Sequence, residues 1–372
     1  GSEARGPCAA RRPRLKREAV RFGTTRAAGG RPAVGSAAAP LLACGRMRIS
    51  TFLPHVEVFG GVRRLLELGN TWAAMGHRVT LYHPAGDPPA WLGYAGEVAP
   101  LAAARETEAD LAVCADPHTF EAFAAHRART RLYYCVLEGD PGVARALAAP
   151  GVRLAANSGP MRRRLERRAR GPVLDGIGGI SLRQFRPDQA RRAEATLRVL
   201  VNGRRSRLKK GTDLILRALA GLGREVPAFE VVLFDSLGPH NRQDPRDGAP
   251  LPANARFVLD PTQDELAALY QSAHLFVAAE RKAGWCNTAL EALACGTAVV
   301  CTRSGTTDFA RDGENALVVL VRHPFFLRRA IRRALADRAL RERLAAAGPA
   351  TAAPWSWEKL AAKLLDQLGL DA

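Results

Sequence analysis

Two stretches of this chain hold residues whose types and spacing suit anion chemistry. The first is Gly203-Arg204-Arg205-Ser206-Arg207-Leu208-Lys209-Lys210-Gly211, which follows an apolar run and precedes a helical pattern. Its guanidinium and ammonium groups are therefore expected to crowd the carboxyl end of a buried strand beside a helix N-terminus. Fixed charges and unpaired helix amides together suit a diphosphate there. A charge run alone reads more simply as a solvated basic loop, and only its place between strand and helix argues otherwise. The second stretch runs from Ala283 to Val300, where a glycine-containing loop leads into a short apolar helix bearing Glu291. A carboxylate in such a helix is costly unless it accepts hydrogen bonds. Ribose or sugar hydroxyls are natural donors, and a neighbouring arginine is the plainer one.

The elements that must position these residues are legible from periodicity. Short β-rich runs alternate with helical patterns from Met47 onward, the mark of βαβ units and parallel sheets. In the first half the pattern predicts strands over 48–54, 78–83, 110–114, 131–137, 152–156 and 172–175, with helices over 62–75, 120–128 and 160–169. Residues 184–192, charged and containing Pro187, read as a linker. A second series predicts strands over 197–201, 230–234, 256–259, 275–279 and 298–302. Its helices fall over 212–222, 264–272 and 288–294, and two closing helices over 326–347 and 357–368. The expected fold class is α/β, with two doubly wound Rossmann-like domains facing across a cleft and a C-terminal helix ending the chain. The domain reading is a leader over 1–46, a first domain over 47–187, a second over 193–354, and a terminal helix over 355–372 packing back on the first domain. In such sheets ligands bind beyond the carboxyl ends of the strands.

Composition narrows the class further. At 372 residues with 47% hydrophobic residues, the chain can bury two cores, and a wholly disordered protein is excluded. No apolar run approaches the roughly 18 residues of a membrane span. The seven cysteines form no C-x-x-C pair, which removes zinc ribbons and thioredoxin-type motifs. The formal net charge of +19 invites a nucleic-acid reading. Six of the 55 Lys and Arg residues are lysine, leaving 49 arginines, a bias that a GC-rich genome also produces. Residues 1–46 hold ten basic residues against two acids and show no period of two or 3.6, so they read as a disordered or non-native leader. The remaining excess favours an anionic substrate or membrane surface over a specific nucleic acid, for which no reader motif or interleaved aromatics are present.

These residues carry a resemblance. From about Met47 to the end the chain resembles a family-4 glycosyltransferase of the two-domain GT-B fold. Gly60-Gly61-Val62-Arg63, followed by Met75-Gly76-His77-Arg78-Val79-Thr80, resembles the N-terminal glycine loop and the next strand entry. Asp175-Gly176-Ile177 with Phe185-Arg186-Pro187 resembles the crossing into the second domain. Gly203-Arg204 through Lys210-Gly211 resembles the family's G-R-x(n)-K-G element, and Asn287 to Val300 its E-A-M-A-C-G-x-P-V-V segment. Ser304-Gly305-Thr306-Thr307-Asp308 stands where the family has G-G-x-x-E. Asp312 to Leu317 and Trp355-Ser356-Trp357-Glu358 resemble the closing region.

The resemblance implies transfer of a sugar from a nucleotide-diphosphate sugar to a saccharide or lipid-linked acceptor, with retention of anomeric configuration. It implies no cofactor and no required metal, and a role in cell-envelope, polysaccharide or glycolipid biosynthesis. By position, Arg204 or Arg205 and Lys210 would hold the diphosphate and stabilise the leaving group. Glu291 would meet the ribose, Asn287, Thr288 and Ala289 would assist at a helix N-terminus, and Gly60 and Gly61 would allow close backbone approach. The chain departs from the pattern at Ala283, where the family has its first glutamate, and Glu280 is the nearby carboxylate. The family's first-domain histidine has no clear counterpart, so His118 and Glu138 are its candidates. The basic helix over Arg162–Arg170 suits either an anionic membrane or a plain solvated face, which makes the expected location cytoplasmic or peripheral on the inner face of a membrane. Other GT-B activities (nucleotide-sugar epimerase, phosphorylase) and a non-catalytic binding module stay open.

Overall fold

The computed structural model describes residues 45–137, 139–188, 196–205, 207–223, 226–237, 246 and 250–370. Most of the expected leader, residues 1–44, lies outside the described residues, as does part of the expected linker, residues 189–192. The first lobe is a seven-stranded parallel sheet in the order β3-β2-β1-β4-β5-β6-β7. Its strands are β1 (Arg48–Phe52), β2 (Arg78–His83), β3 (Glu97–Pro100), β4 (Glu108–Cys114), β5 (Arg127–Cys135), β6 (Val152–Ala156) and β7 (Val173–Asp175). Four helices connect them: α1 (Gly60–Ala74), α2 (Phe120–Ala125), α3 (Pro141–Ala148) and α4 (Gly159–Glu166).

The second lobe is a six-stranded parallel sheet in the order β10-β9-β8-β11-β12-β13. Here β8 is Leu197–Asn202, β9 Phe229–Asp235, β10 Ala255–Leu259, β11 Leu275–Ala278, β12 Ala298–Thr302 and β13 Leu317–Val319. Its helices are α5 (Thr212–Ala220), α6 (Gln263–Ser272), α7 (Asn287–Ala294), α8 (Pro324–Ala336) and α9 (Arg338–Ala352). Both sheets reverse their order beside the first strand of the series, between β1 and β4 and between β8 and β11. Such a reversal splays the adjoining loops apart and opens a crevice at the strand ends.

Burial on both faces explains the near-continuous apolar reading of the central strands. Leu111, Val113, Val199, Val201, Val277 and Val300 are all fully buried. The edge strands β3 and β13 escape the sequence pattern, because three or four residues give too short a period to detect. Helix α3 escapes it as well. The closing helix expected over 326–347 is two helices. Asp337 leaves helical geometry (φ −97°, ψ 97°), and its carboxylate caps α9 through the Leu340 amide at 2.9 Å. Leu327, Ile331, Leu335 and Leu344 nonetheless all face the core.

Helix α10 (Trp357–Leu368) returns to the first lobe. Ser356 caps it, and Trp357, Leu360, Leu364 and Leu368 join Leu65, Leu66 and Trp72 of α1 in one core. Lys363 Nζ donates to Asp175 at 3.0 Å and to the Ile177 carbonyl at 2.9 Å, and Arg153 donates to the carbonyls of Gln367 and Leu368. The two lobes therefore share a helix as well as the segment between β7 and β8. Leu364→Ala is expected to lower the unfolding free energy by about 2–5 kcal/mol in urea denaturation, since Leu364 is wholly buried beneath α10. A change below about 1 kcal/mol would show that α10 does not anchor the lobes.

Candidate functional site

The cation loop between β8 and α5 is set by one glycine. Gly211 takes a left-handed conformation (φ 78°) as the N-cap of α5, and a Cβ there would lie 2.3 Å from the Ala279 carbonyl oxygen. Only glycine permits both the turn and this approach to the end of β11. The loop is stapled from outside by Arg322, whose Nε donates to the Ala279 carbonyl at 2.6 Å and Nη2 to the Leu208 carbonyl at 2.7 Å.

Each of the three expected diphosphate cations is neutralised by a carboxylate. Arg204 makes a two-point contact with Asp235, the last residue of β9, at 2.8 and 2.6 Å, and its guanidinium lies 6.0 Å from the Phe59 ring of the first lobe. Arg204 thus faces the gap. Lys210 Nζ donates to Glu280 at 2.7 Å, beside the Cys286 N-cap of α7. Burial disfavours the ammonium, but the Glu280 charge and hydrogen bond outweigh it, so the Lys210 amine is held above its ordinary value. Arg205 instead turns toward its own helix, donating to Asp213 in the first turn of α5 at 3.0 Å.

Glu291 is buried in α7 and is held from both lobes. It accepts from Tyr270 of α6 at 2.9 Å and from Arg63 of α1 at 3.2 Å. Arg63 also donates to Gln184 at 3.2 Å and lies over the Phe185 ring. Burial first, and then the Glu291 charge, push the Tyr270 phenol well above its ordinary range.

Beside this network the lobes approach closely. A Cβ at Gly60 would sit 3.5 Å from Asn287 Nδ2 of the second lobe, and one at Gly61 would sit 3.4 Å from Val136 of its own lobe. At Gly284 a Cβ would lie 2.6 Å from the Val136 carbonyl oxygen and 2.8 Å from Asn157 Oδ1, so the chain needs glycine for this contact. Asp308 accepts the Gly159 amide at the start of α4 through both oxygens at 3.1 Å. Burial raises the Asp308 carboxyl above its ordinary value.

The N-terminus of α7 opens into the same place. No side chain caps it, and the amides of Asn287, Thr288 and Ala289 belong to its first turn, whose N–H groups lack helical partners. The Cys286 sulfur lies 3.5 Å from the Thr288 hydroxyl. Burial pushes that thiol up, so Cys286 is protonated at neutral pH. Asn287 Oδ1, Asn157 Oδ1 and the Trp285 indole N–H are buried without a hydrogen-bond partner. A cavity of about 520 Å³ adjoins through Gln184, with Val58, Trp91, Asp260, Thr262 and Asp264 in its wall.

Of the other expected residues, His118 sits in the exposed loop after β4, its ring bonded to Asp116 at 2.8 Å. Glu138 lies outside the described residues. Sequence reasoning missed Phe59, Asp235, Tyr270, Asn157 and the interlobe role of Arg63. Asp235 was findable as the polar residue ending an apolar strand, and Phe59 as the neighbour of the glycine pair. Tyr270 and Asn157 carry no local signal.

Residues 185–351 match the family described as glycosyl transferases group 1. D-inositol 3-phosphate glycosyltransferase of Salinispora arenicola is 31% identical over 233 residues, covering 62% of this chain and 48% of that protein. The chain thus spans about half the length of the curated relatives it matches. Among solved structures, sucrose-phosphate synthase of Thermosynechococcus elongatus superposes with a TM-score of 0.70 at 20% identity, over 88% of this chain and all of that one. Anabaena HepE, solved in complex with UDP and glucose, superposes with a TM-score of 0.71 at 14% identity, over 87% of this chain and all of that one. The fold is the GT-B arrangement of these glycosyltransferases.

Arg63→Ala is expected to cost about 3 kcal/mol of stability, because it leaves the Glu291 carboxylate buried without its cationic partner. The Arg63→Ala/Glu291→Ala pair should cost clearly less than the sum of the single changes in urea titrations. Additive losses would show that the two side chains are not coupled.

Proposed function

We propose that the chain transfers a sugar from a nucleotide-diphosphate sugar to an acceptor hydroxyl, with retention of anomeric configuration. The carrying observation is the clustering of Arg204, Lys210 and the open N-terminus of α7 where the order of the second sheet reverses, opposite Phe59, Gly60 and Gly61. In this reading Arg204 and Lys210 exchange Asp235 and Glu280 for phosphate oxygens, and Arg205 contributes charge from one step further back. The bond between the anomeric carbon and the phosphate oxygen breaks, and the negative charge left on the diphosphate is met by those cations and by the α7 amides. The acceptor hydroxyl forms the new bond on the face the diphosphate leaves, and its proton passes to the departing phosphate oxygen. Retention rests on the family resemblance.

Glu291 uses two acceptor positions on Arg63 and Tyr270, and a carboxylate has about four. The remaining positions suit ribose hydroxyls. The cavity reached through Gln184 has the size of a small-ligand pocket and suits the base. Asn287 and Asn157, each with a buried carbonyl oxygen awaiting a donor, suit sugar hydroxyls in the gap. Glu280 supplies the carboxylate that Ala283 does not, while His118 and Glu138 remain the candidates for the role of the family's first-domain histidine. No cofactor or resident metal enters this reading.

The acceptor is a saccharide or lipid-linked sugar of cell-envelope, polysaccharide or glycolipid biosynthesis. The acceptor in the relatives' name, D-inositol 3-phosphate, is the second reading, favoured by the 31% identity. No helix of the described residues is long and apolar enough to cross a membrane. The reading places the protein in the cytoplasm, where nucleotide sugars are made.

Thermal-shift screening against UDP-, GDP-, ADP- and dTDP-sugars should find one donor that raises the melting temperature through mass action. Lys210→Ala should then lower turnover by about 10²-fold, the scale for losing one preorganised stabilising donor. Glu291→Ala should weaken donor binding. Full activity in both variants would refute the site assignment, and product formed without any acceptor would point to an epimerase.

A further inference from the structure

Helix α8 does more than close the second core. Leu327, Ile331, Ala334 and Leu335 bury one stripe, as an amphipathic helix requires. The opposite side, however, is not simply polar. Phe325 is 52% exposed and Phe326 41%, and the turn before them presents Leu320 at 75% and Val321 at 53%. Isolated exposed apolar residues need no explanation, but a contiguous group does. Here Leu320, Val321, Phe325 and Phe326 fall within seven residues, the two phenylalanine rings pack edge to face at 5.3 Å, and Arg328 lies over the Phe325 ring at 5.7 Å. Through Arg322 the group reaches the cation loop, whose Leu208 is 79% exposed.

The segment that carries this apolar group is basic. Between Leu320 and Ala336 the sequence holds five arginines (322, 328, 329, 332 and 333) and no acidic residue. Arg329 and Arg333 lie on the same exposed side as Phe326, three and seven positions on, and Arg207 and Lys209 flank Leu208. Aromatic rings at the centre with arginines around them fit a lipid headgroup layer, where rings enter the acyl boundary and guanidinium groups meet phosphates. A second copy of the chain fits poorly. A two-fold interface brings the same patch against itself and would set the two arginine sets face to face. Helix α4, the other basic helix, lacks the apolar half: its Met161 and Leu165 are buried, and Arg162 is paired with Glu166 at 3.0 Å.

We propose that the Leu320–Phe326 face, with Leu208 and the arginines of α8, docks the second lobe on an anionic lipid surface. The proposal does not depend on the sugar-transfer reading. Docked this way, the end of the second sheet that carries the cation loop stands against the headgroups, within reach of an acceptor embedded in the membrane.

The test is co-sedimentation of the full chain with phosphatidylcholine vesicles, with and without about one-third phosphatidylglycerol. Binding should require the anionic lipid and weaken in 0.5 M salt, within the range where surface charges are screened. A Phe325→Ser/Phe326→Ser variant and an Arg329→Glu/Arg333→Glu variant should each lose on the order of tenfold in vesicle affinity, while keeping the circular-dichroism spectrum and melting temperature of the parent. Because the whole chain is basic, charge alone can bring it to such vesicles. Undiminished binding of the phenylalanine variant would therefore overturn the proposal. So would loss of binding in Arg163→Glu/Arg164→Glu of α4 but not in the α8 variants. A dimer in size-exclusion chromatography that these phenylalanine substitutions dissolve would assign the face to a second copy instead.

Discussion

A carboxylate removed from water must be met by donors, and Glu291 is met from two different lobes. Tyr270 comes from the helix that packs beneath α7, and Arg63 comes from the first helix of the other domain. One buried charge thereby holds the lobes together on the side where the glycines approach. The same arginine reaches Gln184 in the segment that joins the lobes, so hinge, helix α1 and helix α7 meet at a single guanidinium. Helix α10 performs the equivalent task with apolar surface, inserting Trp357, Leu360 and Leu364 into the first core. The lobes are therefore joined by a polar tie and by a shared helix, both seated on α1.

Within that gap the charges are balanced before any substrate arrives. Arg204 rests on Asp235 and Lys210 on Glu280. Half-buried cations left unpaired would be costly, and free ones would draw their own counterions. A carboxylate partner keeps each cation oriented and can be given up to a doubly charged ligand. Three of the loop's five cations are thus directed to carboxylates, Arg204 and Lys210 toward the structure and Arg205 along α5, while Arg207 and Lys209 are exposed. A further run of arginines lies on α8, beside exposed aromatic rings, with no acidic residue between Leu320 and Ala336.

Much of the architecture was legible in the sequence because parallel strands are buried on both faces and read as apolar runs between helical periods. β2, β6 and β12 fall where the pattern placed them, and β8 and β11 within one residue. The failures share one cause. β3, β13 and α3 are short or half-exposed, and a few residues do not establish a period. The break at Asp337 depends on a side-chain cap that competes with continued helix, which hydrophobic spacing does not register. Among site residues, Lys210 and Glu291 could be singled out because basic or acidic groups beside buried elements demand partners.

The sequence by itself determined that two parallel-sheet lobes would form, that a basic loop would sit at the end of β8, and that Glu291 would need hydrogen bonds. These are local consequences of periodicity, turn chemistry and the cost of burying charge. Only the tertiary structure decided which groups answer those needs: Asp235 and Glu280 for the cations, Arg63 and Tyr270 for Glu291, and the return of α10 to the first core. It alone left Phe325 and Phe326 uncovered, since a residue's exposure depends on what the rest of the chain brings against it. Partners hundreds of residues apart are chosen by how helices and sheets pack, and no property of a short segment encodes that choice.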